Sequence, residues 1–245
     1  MNPEIHPDNK NFSWSVPKGP YQYLSVEQVE QFDKKGFLVL EDAFDTKLMS
    51  QICGLIDPFE EKVTEILRGF DGGKVFISRA DEITFSTHLV TQSEELKEFS
   101  KHKVFSSLCL DLIGKNVRMY WDQAVYKKPG TQDEFPWHQD NGYTFIEPQA
   151  YLTCWLALND ADESNGCPWV VPKLHRLGTL KHKTTDLGFE IPLNDIDAIP
   201  LPLKSGSIAV FSSLTPHRTG PNNSEGIRKS YILQYAPDGA QRKIS

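Results

Sequence analysis

Apolar residues recur at helical spacing through the first half of the chain and at strand spacing through the second. Leu24 precedes Ser25 and Gln28, a hydroxyl N-cap and its capping-box partner, and Val29 lies one turn further on to face Leu24 as a staple. A helix is therefore expected from Ser25 to Lys34-Lys35-Gly36, followed by a short apolar strand, Phe37-Leu38-Val39-Leu40. Leu48, Met49, Ile52, Leu55, Ile56 and Phe59 predict a second helix beginning near Asp45, which Pro58 should kink or break. Gly72-Gly73 marks a turn before an expected strand, Lys74-Val75-Phe76-Ile77. Leu96, Phe99, Phe105, Leu108 and Leu112 predict one further helix from Ser93 to about Ile113.

The pattern changes at Asn116. Five short β-rich segments (116–127, 150–158, 166–172, 207–213 and 229–236) are separated by Pro, Gly, Asn and Asp clusters. This is the pattern of an antiparallel barrel or double sheet. The expected architecture is mainly β with N-terminal helices and a jelly-roll core. Residues 1–23 form an irregular arm, 24–115 a helical and strand support and 116–237 the core, all within one catalytic domain spanning 1–245.

Composition narrows the function. With 245 residues, 39% of them hydrophobic, the chain can bury a sizeable core. A formal charge of -7 argues against nucleic acid or an anionic membrane as partner, because both reward clustered basic residues. No stretch approaches the ~20 apolar residues of a membrane-spanning helix. Met1-Asn2-Pro3-Glu4-Ile5-His6-Pro7 lacks the basic and apolar regions of a signal peptide, so a cytoplasmic protein with a small-molecule substrate is expected. Cys53, Cys109, Cys154 and Cys167 contain no C-x-x-C pair and read as buried free thiols. Oligomeric state leaves no mark in the sequence.

The chemistry centres on Trp137-His138-Gln139-Asp140. Residues two apart in a strand point to the same side, so His138 and Asp140 can bring an imidazole and a carboxylate to one point. His217, at the end of the strand Ser207–Phe211 and its loop, can add a third ligand. Two histidines and one carboxylate hold non-haem Fe(II) on one face and leave positions open for chemistry. Eleven residues after His217, Arg228 offers a guanidinium fork suited to a carboxylate-bearing co-substrate, and Ser230 shares its parity. An arginine buried here without an anion would be costly. Zn2+ on the same triad, activating water for hydrolysis, is an alternative, and a non-catalytic β-core binding module is another. Of the remaining histidines, His6 lies in the arm, and His88, His102 and His182 sit in polar surroundings that read as solvated. His175 either orients a turn or faces the pocket mouth.

Several segments, in order, resemble the phytanoyl-CoA dioxygenase-like family of Fe(II)- and 2-oxoglutarate-dependent oxygenases. They are Leu24 to Leu40, Trp137-His138-Gln139-Asp140, Asp160 to Trp169 leading to Pro172 and His175, and Ser205-Gly206-Ser207 through His217 to Arg228 and Gln234-Tyr235. The family's Pro-Gly-Ser-His turn is here Pro172-Lys173-Leu174-His175. The resemblance implies a double-stranded β-helix of cupin type in which His138, Asp140 and His217 bind Fe(II). It further implies that 2-oxoglutarate chelates the metal while its far carboxylate meets Arg228, helped by Ser230 or Thr219. Gln139 and Trp155 match positions flanking the co-substrate, and Gln123 and Lys127 share one parity on the strand entering the site. Tyr143, Phe145, Trp121 and Trp169 are the expected substrate contacts. The implied reaction consumes O2 and 2-oxoglutarate, releases succinate and CO2 and hydroxylates a small organic molecule or acyl thioester. Related halogenating enzymes lack the carboxylate, so Asp140 implies oxygen insertion. For a thioester's phosphates the sequence offers Arg176, Lys181 and Lys183.

Overall fold

The structure, a computed structural model, describes residues 3–193 and 197–243. The first helix, α1 (Val26–Lys35), starts at the expected capping box. The Ser25 hydroxyl accepts from the Gln28 amide at 3.2 Å, and the Gln28 side chain accepts from the Ser25 amide at 2.9 Å. It ends at Gly36, whose φ of 87° is left-handed and whose N–H donates to the Phe32 carbonyl at 2.7 Å. The second helix, α2 (Thr46–Arg68), is capped by the Asp45 side chain and runs without interruption through Pro58. The expected break does not occur. Pro58 and Gly54, one turn before it, both lie on the exposed face, so the carbonyl that loses its donor is open to water.

Two other expectations need correcting. The single helix over 93–113 is two, α3 (Glu94–Ser100) and α4 (Lys103–Leu112), because the His102 ring accepts from the Val104 amide and caps a fresh start. The strand expected at 74–77 is instead a tight hairpin, Lys74–Val75 against Ser78–Arg79, with Phe76 and Ile77 as its turn. A further strand, Ile83–Thr87, pairs antiparallel along Val117–Lys127. Its polar Thr84 and Ser86 are buried along with Ile83, which hides the alternation that marks a half-exposed strand.

Two antiparallel sheets carry the β-core. The larger runs in the order Phe37–Leu40, Ile208–Ser212, Leu152–Ala157, Arg228–Pro237, Val117–Lys127, Ile83–Thr87 and then the 74–79 hairpin. The smaller runs Ile199–Pro200, Pro168–Val170, His217–Thr219, Phe135–His138. Strand parity sorts the core. From the larger sheet, Tyr231, Leu233, Cys154, Leu156, Ala124 and Tyr126 face the helices and pack with Phe32, Met49, Ile52, Ile56 and Phe105. The alternate set, Val125, Trp155, Ala209, Phe211 and Ile232, faces Val170 of the smaller sheet and Cys167 just before it. This is the jelly-roll arrangement the sequence pattern implied.

The arm is irregular but fastened. Asp111 of α4 accepts the backbone N–H groups of Gln22, Tyr23 and Leu24, each at 2.9 Å, and Ile5 bridges to Leu180. Gly36 links the support to the core: its carbonyl accepts from the Ser212 amide at 3.0 Å and from the Thr215 hydroxyl at 2.7 Å. A Cβ there would lie 2.5 Å from both His175 Nδ1 and Thr215 Oγ1, in a backbone conformation that already disfavours a side chain. Gly36→Ala is expected to destabilise the fold by about 2 kcal/mol or more, read as a fall in Tm.

Candidate metal centre

His138 ends the strand Phe135–His138, and His217 begins His217–Thr219; the two are direct cross-strand partners. Asp140 opens the single helical turn Asp140–Tyr143 immediately after. His138 Nε2 lies 4.0 Å and His217 Nε2 3.6 Å from Asp140 Oδ1, and one ligand atom from each of the three falls within 4.8 Å of the others. Among the described residues this is the one such cluster of His, Cys, Asp or Glu.

Each ligand atom is aimed by a partner behind it. His138 Nδ1 sits 2.8 Å from the Pro136 carbonyl and His217 Nδ1 3.0 Å from the Thr215 carbonyl. A carbonyl only accepts, so both Nδ1 atoms carry the proton and both Nε2 lone pairs point at the shared space. Thr215 is the residue Gly36 holds, so the end of α1 helps to place His217. Burial, reinforced by neighbouring His217, pushes His138 well below 6.5 and keeps it in the neutral form a metal needs. Asp140 Oδ2 accepts from the Thr153 hydroxyl at 2.6 Å, which leaves Oδ1 for the shared point. Gln234, opposite Thr153 in the register, reaches that hydroxyl at 3.4 Å. Thr153→Val is expected to weaken Fe(II) or Mn(II) binding about 10-fold with little loss of Tm, measured by metal titration.

The backbone between His138 and Asp140 is fixed from the other side. The Gln139 amide donates to His182 Nε2 at 3.0 Å, while His182 Nδ1 donates to the Leu180 carbonyl at 2.9 Å. His182 is thus no solvated histidine. Burial drives it down to about 4, and its ring fills the space over Gly142, where a Cβ would lie 2.0 Å from it. The Gln139 side chain points away from the cluster: it donates to the Gly178 and Leu214 carbonyls and accepts from the Leu180 amide. The structure does not bring it to the site, because residue 139 has the opposite parity to 138 and 140. His175 lies under the end of α1, with Nε2 3.1 Å from the Asp33 carbonyl and its ring edge-on to Trp14 at 4.4 Å. His88 is exposed against Trp121, and His102 serves as the cap of α4.

Arg228 is 1% exposed and stands on the inner face of its strand. One terminal nitrogen donates to the Val125 carbonyl at 3.1 Å and to Ser230 Oγ at 2.6 Å, and the guanidinium lies 5.3 Å from the Trp155 ring centre. Its Nε and other terminal nitrogen, both buried, have no hydrogen-bond partner among the described residues. Burial lowers this guanidinium to about 10, the direction of a cation short of its counter-ion. Lys127, the cross-strand partner of Arg228, is also fully buried. Its ammonium meets the carbonyls of Gly220 and Asp133 and lies 3.5 Å from Thr219 Oγ1. Burial, and then Arg228, lower it to about 7. A buried guanidinium with two donors to spare, beside a buried lysine whose own donors are engaged, is a receptacle for a carboxylate.

A cavity of about 560 Å³ opens on His138 and Asp140. Trp121 and Tyr143, candidate substrate contacts, and Gln123, a candidate co-substrate residue, line it together with Tyr120, Tyr151 and Gln234. A register shift opposite Gln234–Tyr235 turns Tyr120 and Trp121 together into the cavity. Phe145 and Trp169 lie elsewhere. Phe145 alternates away from cavity-lining Thr144 and packs on His6 at 4.9 Å, and Trp169 holds the Arg218 guanidinium 5.2 Å from its ring. Thr153 shares strand parity with Trp155 and was legible on that ground; His182 carried no signal in the sequence.

A jelly roll enclosing two histidines, a carboxylate and a buried unpaired guanidinium defines a facial-triad metal-site protein of the double-stranded β-helix class. The chain belongs to the phytanoyl-CoA dioxygenase (PhyH) family, whose model matches residues 32–230. It is 27% identical over 258 residues to phytanoyl-CoA dioxygenase 1 of Oryza sativa subsp. japonica, covering 87% of this chain and 89% of that one. Among solved structures, the fold is shared with the non-heme alpha ketoglutarate dependent carbocyclase SnoK from nogalamycin biosynthesis (TM-score 0.74, 19% identity, 92% of this chain and 90% of that one). It is shared equally with EvdO2 from Micromonospora carbonacea var. aurantiaca complexed with 2-oxoglutarate (TM-score 0.71, 22% identity, 92% and 95%).

Proposed function

We propose that this chain is an Fe(II)- and 2-oxoglutarate-dependent dioxygenase that hydroxylates a small organic molecule. The observation that carries the reading is Arg228: a buried guanidinium with two unsatisfied nitrogens, in the same sandwich interior as the triad. A metal hydrolase has no use for such a group, whereas a dicarboxylate co-substrate does. EvdO2, with its bound 2-oxoglutarate, supports the same assignment. Iron and 2-oxoglutarate, when bound, supply the oxidising power, O2 being consumed as the keto acid becomes succinate and CO2 and one oxygen goes to the substrate.

The chain's own part is to bind, orient and shield. His138 and His217 offer Nε2 because Pro136 and Thr215 hold their Nδ1 protons, and Asp140 offers Oδ1 because Thr153 occupies Oδ2. Arg228, with Ser230 behind it and Lys127 and Thr219 beside it, takes the distal carboxylate. Trp155, across whose ring the guanidinium lies, walls that end of the site. Trp121, Tyr143 and Gln123 hold the substrate near the triad while the aromatic walls keep bulk water out. Residues 24–115 and 116–237 act as one catalytic unit, since Phe37–Leu40 is a strand of the core sheet. Among the described residues no helix is long and apolar enough to cross a membrane. Four free cysteines agree with a cytoplasmic setting.

The test is conversion of 2-oxoglutarate to succinate and CO2, dependent on both Fe(II) and O2 and measurable without a primary substrate as uncoupled turnover. A chain that binds neither Fe(II) nor 2-oxoglutarate would refute the reading.

A further inference from the structure

The cavity in front of the triad has an unusual chemistry for a family named after an acyl-CoA. Among the described residues that line it, none is Lys or Arg, and Asp140 is the one carboxylate. Besides His138, its other polar groups are the Gln123 and Gln234 amides, the Trp121 indole and Ser, Thr and Tyr hydroxyls. None of the cations that the sequence offered for phosphates lines the cavity, and each lies in an exposed surface ion pair. Arg176 pairs with Asp33 at 2.7 Å, Lys181 with Glu4 at 2.7 Å and Lys183 with Glu190 at 3.0 Å. Desolvating an anion on a wall without cations is costly.

The mouth adds a second observation. Phe76, the turn residue of the 74–79 hairpin, is 58% exposed and held at a φ of 51°, uncommon for a bulky residue. Its ring stands edge-on to Phe189 at 6.3 Å. Phe189 belongs to a second hairpin, Lys183–Thr185 against Gly188–Glu190, and it too lines the cavity. That hairpin is held to the cavity wall. The Phe189 amide meets Tyr143 Oη at 3.3 Å, and a Cβ on Gly188 would lie 2.5 Å from the same oxygen. Two hairpins remote in sequence thus place two rings at one opening, one of them exposed in a strained conformation. Exposed aromatic area of this kind is offset when a ligand covers the ring, and strained positions cluster at ligand clamps.

We propose that the substrate is an uncharged, largely aromatic or alicyclic molecule held at the mouth against the paired Phe76 and Phe189 rings, and not an acyl-CoA thioester. The statement that this molecule is oxidised rests on the function proposed above; the statement of what the cavity binds does not. A matched pair of fluorescent probes separates charge from shape. N-phenyl-1-naphthylamine and 1-anilinonaphthalene-8-sulfonate share an aromatic frame, and the second adds a sulfonate. Both are titrated into the wild-type chain, alone and loaded anaerobically with Fe(II) and 2-oxoglutarate.

The neutral probe is expected to bind at least about 10-fold more tightly than the sulfonate, and Phe76→Ala and Phe189→Ala should each weaken it about 5- to 10-fold. Phe76→Trp should retain binding, and millimolar coenzyme A should leave the neutral probe in place. Phe76 is largely exposed, so its replacement leaves the core intact, and an unchanged Tm confirms this. Equal or tighter binding of the sulfonate, displacement by coenzyme A, or wild-type binding in both alanine variants would overturn the proposal. Uncoupled succinate release, measured on the same preparations, reports the iron and 2-oxoglutarate reading independently of the probe.

Discussion

His138→Ala and Asp140→Ala are each expected to abolish Fe(II)-dependent succinate release, with a loss of about 10³-fold or more, while the chain still folds. Both side chains line the cavity, and the hydrophobic cluster between the sheets is built from other residues, although His138 also packs on Phe135, Tyr143 and His217. Removing either leaves two donors where a facial site needs three, so metal affinity and turnover fall together. Metal titration separates this from a general loss of structure: a site that has lost a ligand binds less metal at an unchanged Tm. Asp140→Ala also strands the Thr153 hydroxyl, whose partner is the Asp140 carboxylate at 2.6 Å. Near-wild-type turnover in either variant would move the iron elsewhere.

The second large effect concerns Arg228. Arg228→Met should raise the apparent KM for 2-oxoglutarate by about 100-fold or more, since truncating one partner of a buried charge pair costs about 2–5 kcal/mol. The same substitution should leave the ligand-free chain no less stable, and it can raise its Tm. In the free protein the guanidinium is a buried cation with two unsatisfied nitrogens, and a thioether of similar length removes that cost. The direction of its pKa agrees. A basic group lowered from 12.5 to about 10 by burial costs stability in full at neutral pH, where it is protonated in both folded and unfolded states. A dicarboxylate beside it reverses the sign, so 2-oxoglutarate should raise the Tm of the wild-type chain and not of Arg228→Met. Arg228→Lys should recover little, because a single ammonium cannot reproduce the fork. An unchanged KM in Arg228→Met would place the carboxylate anchor elsewhere.

Much of this protein is written locally. Ser25 and Gln28 start α1, Gly36 ends it, and Asp45 starts α2, because caps act over three or four residues and need no tertiary partner. Strand period alone sends His138 and Asp140 to one side and Gln139 to the other. It likewise aligns Arg228 with Ser230, Ile232 and Gln234, which is why the candidate metal cluster and the guanidinium are legible in the sequence alone.

What period cannot supply is the neighbour across a sheet or a hairpin. Only the folded chain pairs His138 with His217, sets Thr153 behind Asp140, and turns the apparently solvated His182 into a half-buried support over Gly142. Phe145 and Trp169 read as pocket residues because aromatic character says nothing of direction, and the backbone turned them elsewhere. Phe76 and Phe189 meet at the cavity mouth for the converse reason. The candidate ligand set was determined by residue type and spacing; the shape and neutrality of the space in front of it were decided by contacts between segments a hundred residues apart, where local preferences carry no information.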